Sequence, residues 1–236
     1  MNKSQGSWSG GPTDSRKASE HDLRFGHQLL TEESEEWPPY FAVVSRSAYT
    51  VAEHHLSRRP EDIGYALCLD WGHLQALTNA VPNNVELIVA MGGGTALDAS
   101  KYVALSRNLP LVLVPTAVSS GAIIHSVFAK WEGHATIGPV ESWPWLDFDH
   151  VIIDYDLVLK TPYYLNTAGL GDVLCGYAGI AEWRRNSKLG IGPLFDESVV
   201  ATMVQHHAEI VNRFPNTLDA AGNLTPDSVQ LIMESV

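Results

Sequence analysis

Three consecutive glycines, Gly92, Gly93 and Gly94, lie between the apolar run Leu87 to Met91 and the helical pattern Ala96 to Leu105. A short apolar run bounded by turn signals reads as a buried strand, and apolar residues spaced by three and four read as an amphipathic helix. Glycine has no Cβ and reaches backbone angles closed to other residues. The chain can therefore turn sharply and offer the first N–H groups of the helix to an approaching phosphate. That is the chemistry of nucleotide capture. A plain tight connection in an α/β domain has the same appearance, and Leu97 stands where the dinucleotide fingerprint wants its third glycine.

Two further segments carry polar groups suited to the same task. Val114-Pro115-Thr116-Ala117-Val118-Ser119-Ser120-Gly121 follows an apolar run; its hydroxyls and N–H groups contact a phosphate or sugar, or form only a polar loop. Thr167-Ala168-Gly169-Leu170-Gly171-Asp172-Val173-Leu174-Cys175 reads as a glycine turn that sets Asp172 at the start of a helix. There the carboxylate stabilises the helix start, or serves as a hard-oxygen ligand to a divalent ion. His125, His134 and Trp143-Pro144-Trp145 sit in an irregular stretch where such rings pack, and His206 and His207 read as surface residues of a helix.

The elements that position these residues alternate. Strands are expected at 40–44, 65–69, 85–91, 111–114 and 151–154, with helices at 49–56, 74–80 and 96–105 between them. Such alternation implies parallel strands with crossovers on both faces. Ligands of such sheets bind at the carboxyl ends of the strands, where all three polar segments fall. From Leu165 onward only helices are expected, at 171–184 and 197–213, with a third opened by Thr225-Pro226-Asp227 and running into the C-terminus. The expected fold is α/β: a Rossmann-like parallel sheet domain over 23–159, followed by an incomplete all-helical domain over 160–236. Residues 1–22, polar and rich in Ser and Gly, form a disordered tail.

The 236 residues are 45% hydrophobic, with 15 Lys plus Arg against 27 Asp plus Glu and a formal charge of -12. That balance, with no dense basic run, argues against nucleic acid or an anionic membrane as partner. No apolar run approaches the roughly 18 to 20 residues that span a bilayer. Two cysteines, Cys68 and Cys175, suit a reducing compartment, and a cytoplasmic location is expected.

Taken together, Val-Ala-Met-Gly-Gly-Gly-Thr-Ala-Leu-Asp-Ala-Ser-Lys, Val-Pro-Thr, Ile-Ile-Asp-Tyr-Asp-Leu-Val-Leu-Lys-Thr-Pro and Ala-Gly-Leu-Gly-Asp, with Ala-Glu-Trp-Arg-Arg following, occur in an order that resembles the metal-dependent (iron-containing) alcohol dehydrogenase and dehydroquinate synthase superfamily. The last segment looks most like its glycerol-1-phosphate dehydrogenase branch. The resemblance implies that Gly92, Gly93 and Gly94 receive the pyrophosphate of NAD or NADP, and that Asp98 and Lys101 order the turn as a pair on one helical face. It implies cofactor contacts from Thr116 and Ser119. Asp172 matches the family's aspartate metal ligand, for zinc or iron, whose ion polarises the substrate oxygen. The implied activity is metal-assisted hydride transfer between the nicotinamide and a polyol or polyol phosphate, in a possible homo-oligomer. The resemblance also implies two histidine ligands farther along than this sequence extends. A dehydroquinate synthase-like cyclase and a truncated, non-catalytic nucleotide-binding protein are the alternatives. Where the glycerol phosphate branch carries His-Asp-Gly, this chain has Ser120-Gly121-Ala122.

Overall fold

The computed structural model describes residues 22–125, 128, 131–132, 135–136 and 150–235. Its centre is a six-stranded sheet built from β1 (Asp22–Gly26), β2 (Tyr40–Val44), β3 (Asp62–Tyr65), β4 (Leu87–Gly92), β5 (Leu111–Pro115) and β8 (His150–Asp154). The order is β1-β8-β5-β4-β2-β3, and every pair is parallel. β6 (Trp131–Glu132) and β7 (Ala135–Thr136) form a separate antiparallel ladder.

Burial on both faces explains the composition of the inner strands. Tyr40–Val44, Leu87–Gly92 and Leu111–Pro115 are buried at every position, as continuous apolar runs require when helices cover both sides. Alternate side chains divide between two cores. One face places Phe41, Val43, Ile88, Ala90, Leu111 and Leu113 against α3 (Trp71–Ala80), α4 (Gly94–Arg107) and α8 (Pro226–Met233). The other places Tyr40, Ala42, Val44, Val89, Met91 and Val114 against α1 (Leu29–Glu36), α2 (Arg46–Ala52) and α5 (Tyr155–Val158).

Several boundaries differ from expectation. β1 precedes the first expected strand; as a partly exposed edge strand, its Asp-Leu-Arg-Phe-Gly sequence needs no apolar run. The strand expected at 65–69 lies earlier, at Asp62–Tyr65, because Gly64 packs under Phe41 and Leu77, where a Cβ would come within 2.8 Å of both side chains. The second helix begins at Arg46 and ends in a 3-10 turn, Glu53–His55. Helix α6 runs unbroken over Tyr163–Lys188, so the glycine turn expected before Asp172 does not exist. Helix α7 (Glu197–Arg213) has the expected bounds, and α8 opens on Thr225 with a capping box but stops at Met233. The tail up to residue 21, His134 and Trp143 to Trp145 lie outside the described residues.

Connections fix where a ligand can sit. From β2 the chain moves outward through α2 to β3, whereas from β4 it moves the opposite way through α4 to β5. The crevice between diverging connections, at the carboxyl ends of β2 and β4, is the switch point at which doubly wound sheets bind ligands. The three glycines leave β4 at that point.

Candidate functional site

Gly92 ends β4 with φ 157°, and a Cβ there would lie 2.8 Å from the Ala96 Cβ and 3.0 Å from the Ser45 Oγ. Only glycine lets β4 turn so tightly beside β2, whose Ser45 N–H donates to the Met91 carbonyl at 3.2 Å. Gly93 is the N-cap of α4, where no side chain among the described residues caps the helix, and a Cβ on it would meet nothing within 4 Å. The first α4 bonds run from the Ala96 and Leu97 N–H groups to the Gly93 carbonyl, at 3.0 and 3.2 Å. The Gly94 and Thr95 amides thus precede the helical ladder, beside open space, at the positive end of a 14-residue helix.

The loop after β5 closes one side of this turn. Thr116 donates its N–H to the Gly92 carbonyl at 3.0 Å, and the Ser120 Oγ lies 3.3 Å from where a Gly94 Cβ would be. Ser119 is half-buried in the same loop. Thr161 Oγ1 donates to the Thr116 carbonyl at 2.5 Å, and Asn166, fully buried, accepts the Val118 N–H at 3.0 Å while its amide donates to the Val158 carbonyl at 2.8 Å. Helix α6 presses on the loop through Gly169: a Cβ there would stand 2.3 Å from the Val118 carbonyl oxygen.

Asp98 and Lys101 form the expected pair, Nζ to Oδ1 at 3.2 Å, with side-chain exposures of 13% and 0%. Lys101 also donates to the Ala122 carbonyl at 2.6 Å, so one buried ammonium ties α4 to the loop over the turn. Burial pulls its pKa below the ordinary lysine value, and Asp98 opposes that shift.

Asp172 lies within α6 and is exposed, and its Oδ2 accepts the Gly121 N–H at 3.1 Å. The carboxylate therefore stands at the loop rather than at a helix start, brought there by the close approach at Gly169 one turn earlier. Among the described residues no group of three or more His, Cys, Asp and Glu is placed to hold a metal ion. Asp172 as the one donor falls short of the three protein ligands that a catalytic ion requires. His207, expected at the surface, is buried at 8% exposure: its ring covers Gly176 of α6 and meets Tyr177 edge-on at 5.3 Å. His206 beside it is exposed.

The sequence pattern of the family described as iron-containing alcohol dehydrogenase matches residues 28–162, more than half of the chain. The chain belongs to that family. Among curated relatives, the glycerol-1-phosphate dehydrogenase of Staphylothermus marinus is 30% identical over 162 residues, which make up 69% of this chain and 43% of the relative. Glycerol dehydrogenase 1 of Schizosaccharomyces pombe is 31% identical over 101 residues, 43% of this chain and 22% of the relative. Among solved structures, a probable glycerol dehydrogenase from Sinorhizobium meliloti superposes with a TM-score of 0.68 at 18% identity, covering 91% of this chain and 62% of that one. A sulfoacetaldehyde reductase from Bifidobacterium kashiwanohense in complex with NAD+ gives a TM-score of 0.61 at 17% identity, covering 91% and 63%. The chain thus spans less than half the length of these curated relatives and about three fifths of these solved ones.

Asn166, Thr161 and Ser45 contribute to the site without having been singled out from the sequence. An asparagine directly after Tyr163-Tyr164-Leu165 in the first turn of α6 is the signal that marks Asn166.

Proposed function

We propose that the chain serves a NAD(P)-dependent oxidoreductase acting on a polyol or polyol phosphate, with residues 23–159 holding the dinucleotide and residues 160–236 opening the metal and substrate region. The observation that carries this reading is the glycine turn at the switch point, whose α4 end has no side-chain cap and faces open space at Gly93. The N–H groups of Gly94 and Thr95 would donate to a diphosphate, and Gly93 keeps its path clear. Thr116 and Ser119 would contact the nicotinamide half from the β5 loop, which Lys101, Asn166 and Thr161 hold in place. A bound nicotinamide supplies a hydride acceptor or donor; the chain binds it, orients it and fixes its distance from the alcohol carbon. The curated relatives named as glycerol and glycerol-1-phosphate dehydrogenases support the polyol class. Ser120-Gly121-Ala122, in place of the branch's His-Asp-Gly, leaves the choice between free and phosphorylated polyol open to other contacts.

On this reading Asp172 offers one carboxylate oxygen to a divalent ion while Gly121 engages the other. The described donors do not complete such a centre, so no step is derived through it. The second reading is a chain that binds nucleotide without catalysis. Differential scanning fluorimetry checks the first reading: NAD(H) or NADP(H) raises the melting temperature, whereas zinc alone adds little. No shift with any dinucleotide contradicts it.

A further inference from the structure

We propose that Arg46 makes this site select NADP(H) over NAD(H) by holding a phosphate on the 2′ position of the adenosine ribose. The inference rests on the dinucleotide reading above. With the diphosphate at Gly92 to Gly94, the two halves of the cofactor run in opposite directions along the rim of the sheet. The β5 side holds Thr116, Ser119 and, through Gly121, Asp172, so it is the reacting end. The adenosine half then crosses the carboxyl ends of β2 and β3.

Register places the groups that meet it. Val44 pairs with Met91 of β4 on one side and with Tyr65 of β3 on the other, so Ser45 stands beside Gly92 and Arg46 follows on the open rim. The Arg46 guanidinium carbon lies 4.6 Å from the centre of the Tyr65 ring. Contact with that face holds the group in place, and among the described residues no hydrogen bond occupies its N–H donors. Among the described residues Arg46 forms no ion pair, and the acid nearest along α2, Glu53, is bonded to Arg59 at 3.2 Å. The rim residues themselves, Ser45, Arg46 and Ser47 after β2 and Ala66, Leu67 and Cys68 after β3, include no acid. A carboxylate at this place binds a ribose 2′-hydroxyl and repels a 2′-phosphate; an arginine flanked by two serine hydroxyls attracts the 2′-phosphate.

The test is fluorescence titration of the full chain with NADPH and NADH, repeated on Arg46→Ala and Arg46→Glu. Arg46 is exposed, so both variants are expected to melt as the parent does. The parent binds NADPH at least about tenfold more tightly than NADH. Arg46→Ala loses about 10- to 100-fold for NADPH, the range for one charge-assisted contact, and little for NADH. Arg46→Glu prefers NADH. In competition, 2′,5′-ADP displaces NADPH better than 5′-ADP does. Equal or tighter binding of NADH by the parent, or equal weakening of both nucleotides by Arg46→Ala, overturns the assignment. Binding of neither nucleotide overturns the dinucleotide reading and this assignment with it.

Discussion

Lys101 shows how a residue legible in the sequence takes on a second role in the fold. Its spacing from Asp98 marks the pair, but the bond to the Ala122 carbonyl depends on a loop 21 residues away and has no local signature. His207 is the opposite case. A histidine pair on a mostly polar helix reads as solvated, and only the approach of α6 through Gly176, which has no side chain, makes room to bury the ring. Its Nδ1 is buried and has no hydrogen-bond partner among the described residues. Burial, with a smaller effect from His206, lowers the His207 pKa below 6.5. The unfolded chain therefore binds the proton at higher pH than the folded one, and folding stability falls as pH drops through 6.5 toward the depressed value. Urea unfolding across that window is expected to show this slope in the parent and to lose it in His207→Phe.

At the scale of elements, the inner strands were legible because two-sided burial writes itself as unbroken apolar runs, as in Leu111–Pro115. β1 was not, since an edge strand is free to carry Asp22 and Arg24. The misreading of α6 is instructive: Gly169 and Gly171 look like a turn, yet the helix passes through both. Glycine has distinct uses at the two positions. At Gly169 it allows contact with the Val118 carbonyl, whereas a Cβ at Gly171 would meet nothing within 4 Å. Gly169→Ala is accordingly expected to destabilise by about 1 to 3 kcal/mol through overpacking and to weaken dinucleotide binding by displacing the 116–121 loop. Gly171→Ala is expected to stabilise by about 0.5 to 1 kcal/mol, because alanine suits a helix interior better than glycine. Chemical denaturation of the two variants side by side checks both signs.

At the scale of the whole molecule, strand order does what no single motif does. The glycines alone are compatible with a plain connection, and Leu97 breaks the dinucleotide fingerprint. Their place at the switch point between β2 and β4 sets the turn between the β5 loop, bonded to α6, on one side and Arg46 on the other. That arrangement lies in the order β1-β8-β5-β4-β2-β3, which pairs residues far apart in the chain and so leaves no trace in local spacing. Net charge of -12 does not oppose the proposed capture, which would rest on local amides and one arginine.

Substitution at Gly93 separates this account from a purely structural turn. Its φ of -92° and ψ of -169° suit a β-branched residue, and its Cβ position is open. Gly93→Val should therefore fold, with a melting temperature lowered only slightly by the poorer N-cap, while its side chain fills the path of the diphosphate. Equilibrium titration of the parent and Gly93→Val with NADPH is the direct measurement. Saturable binding by the parent, lost in the variant although it stays folded at the titration temperature, is the predicted result; equal binding by both would contradict capture at the turn.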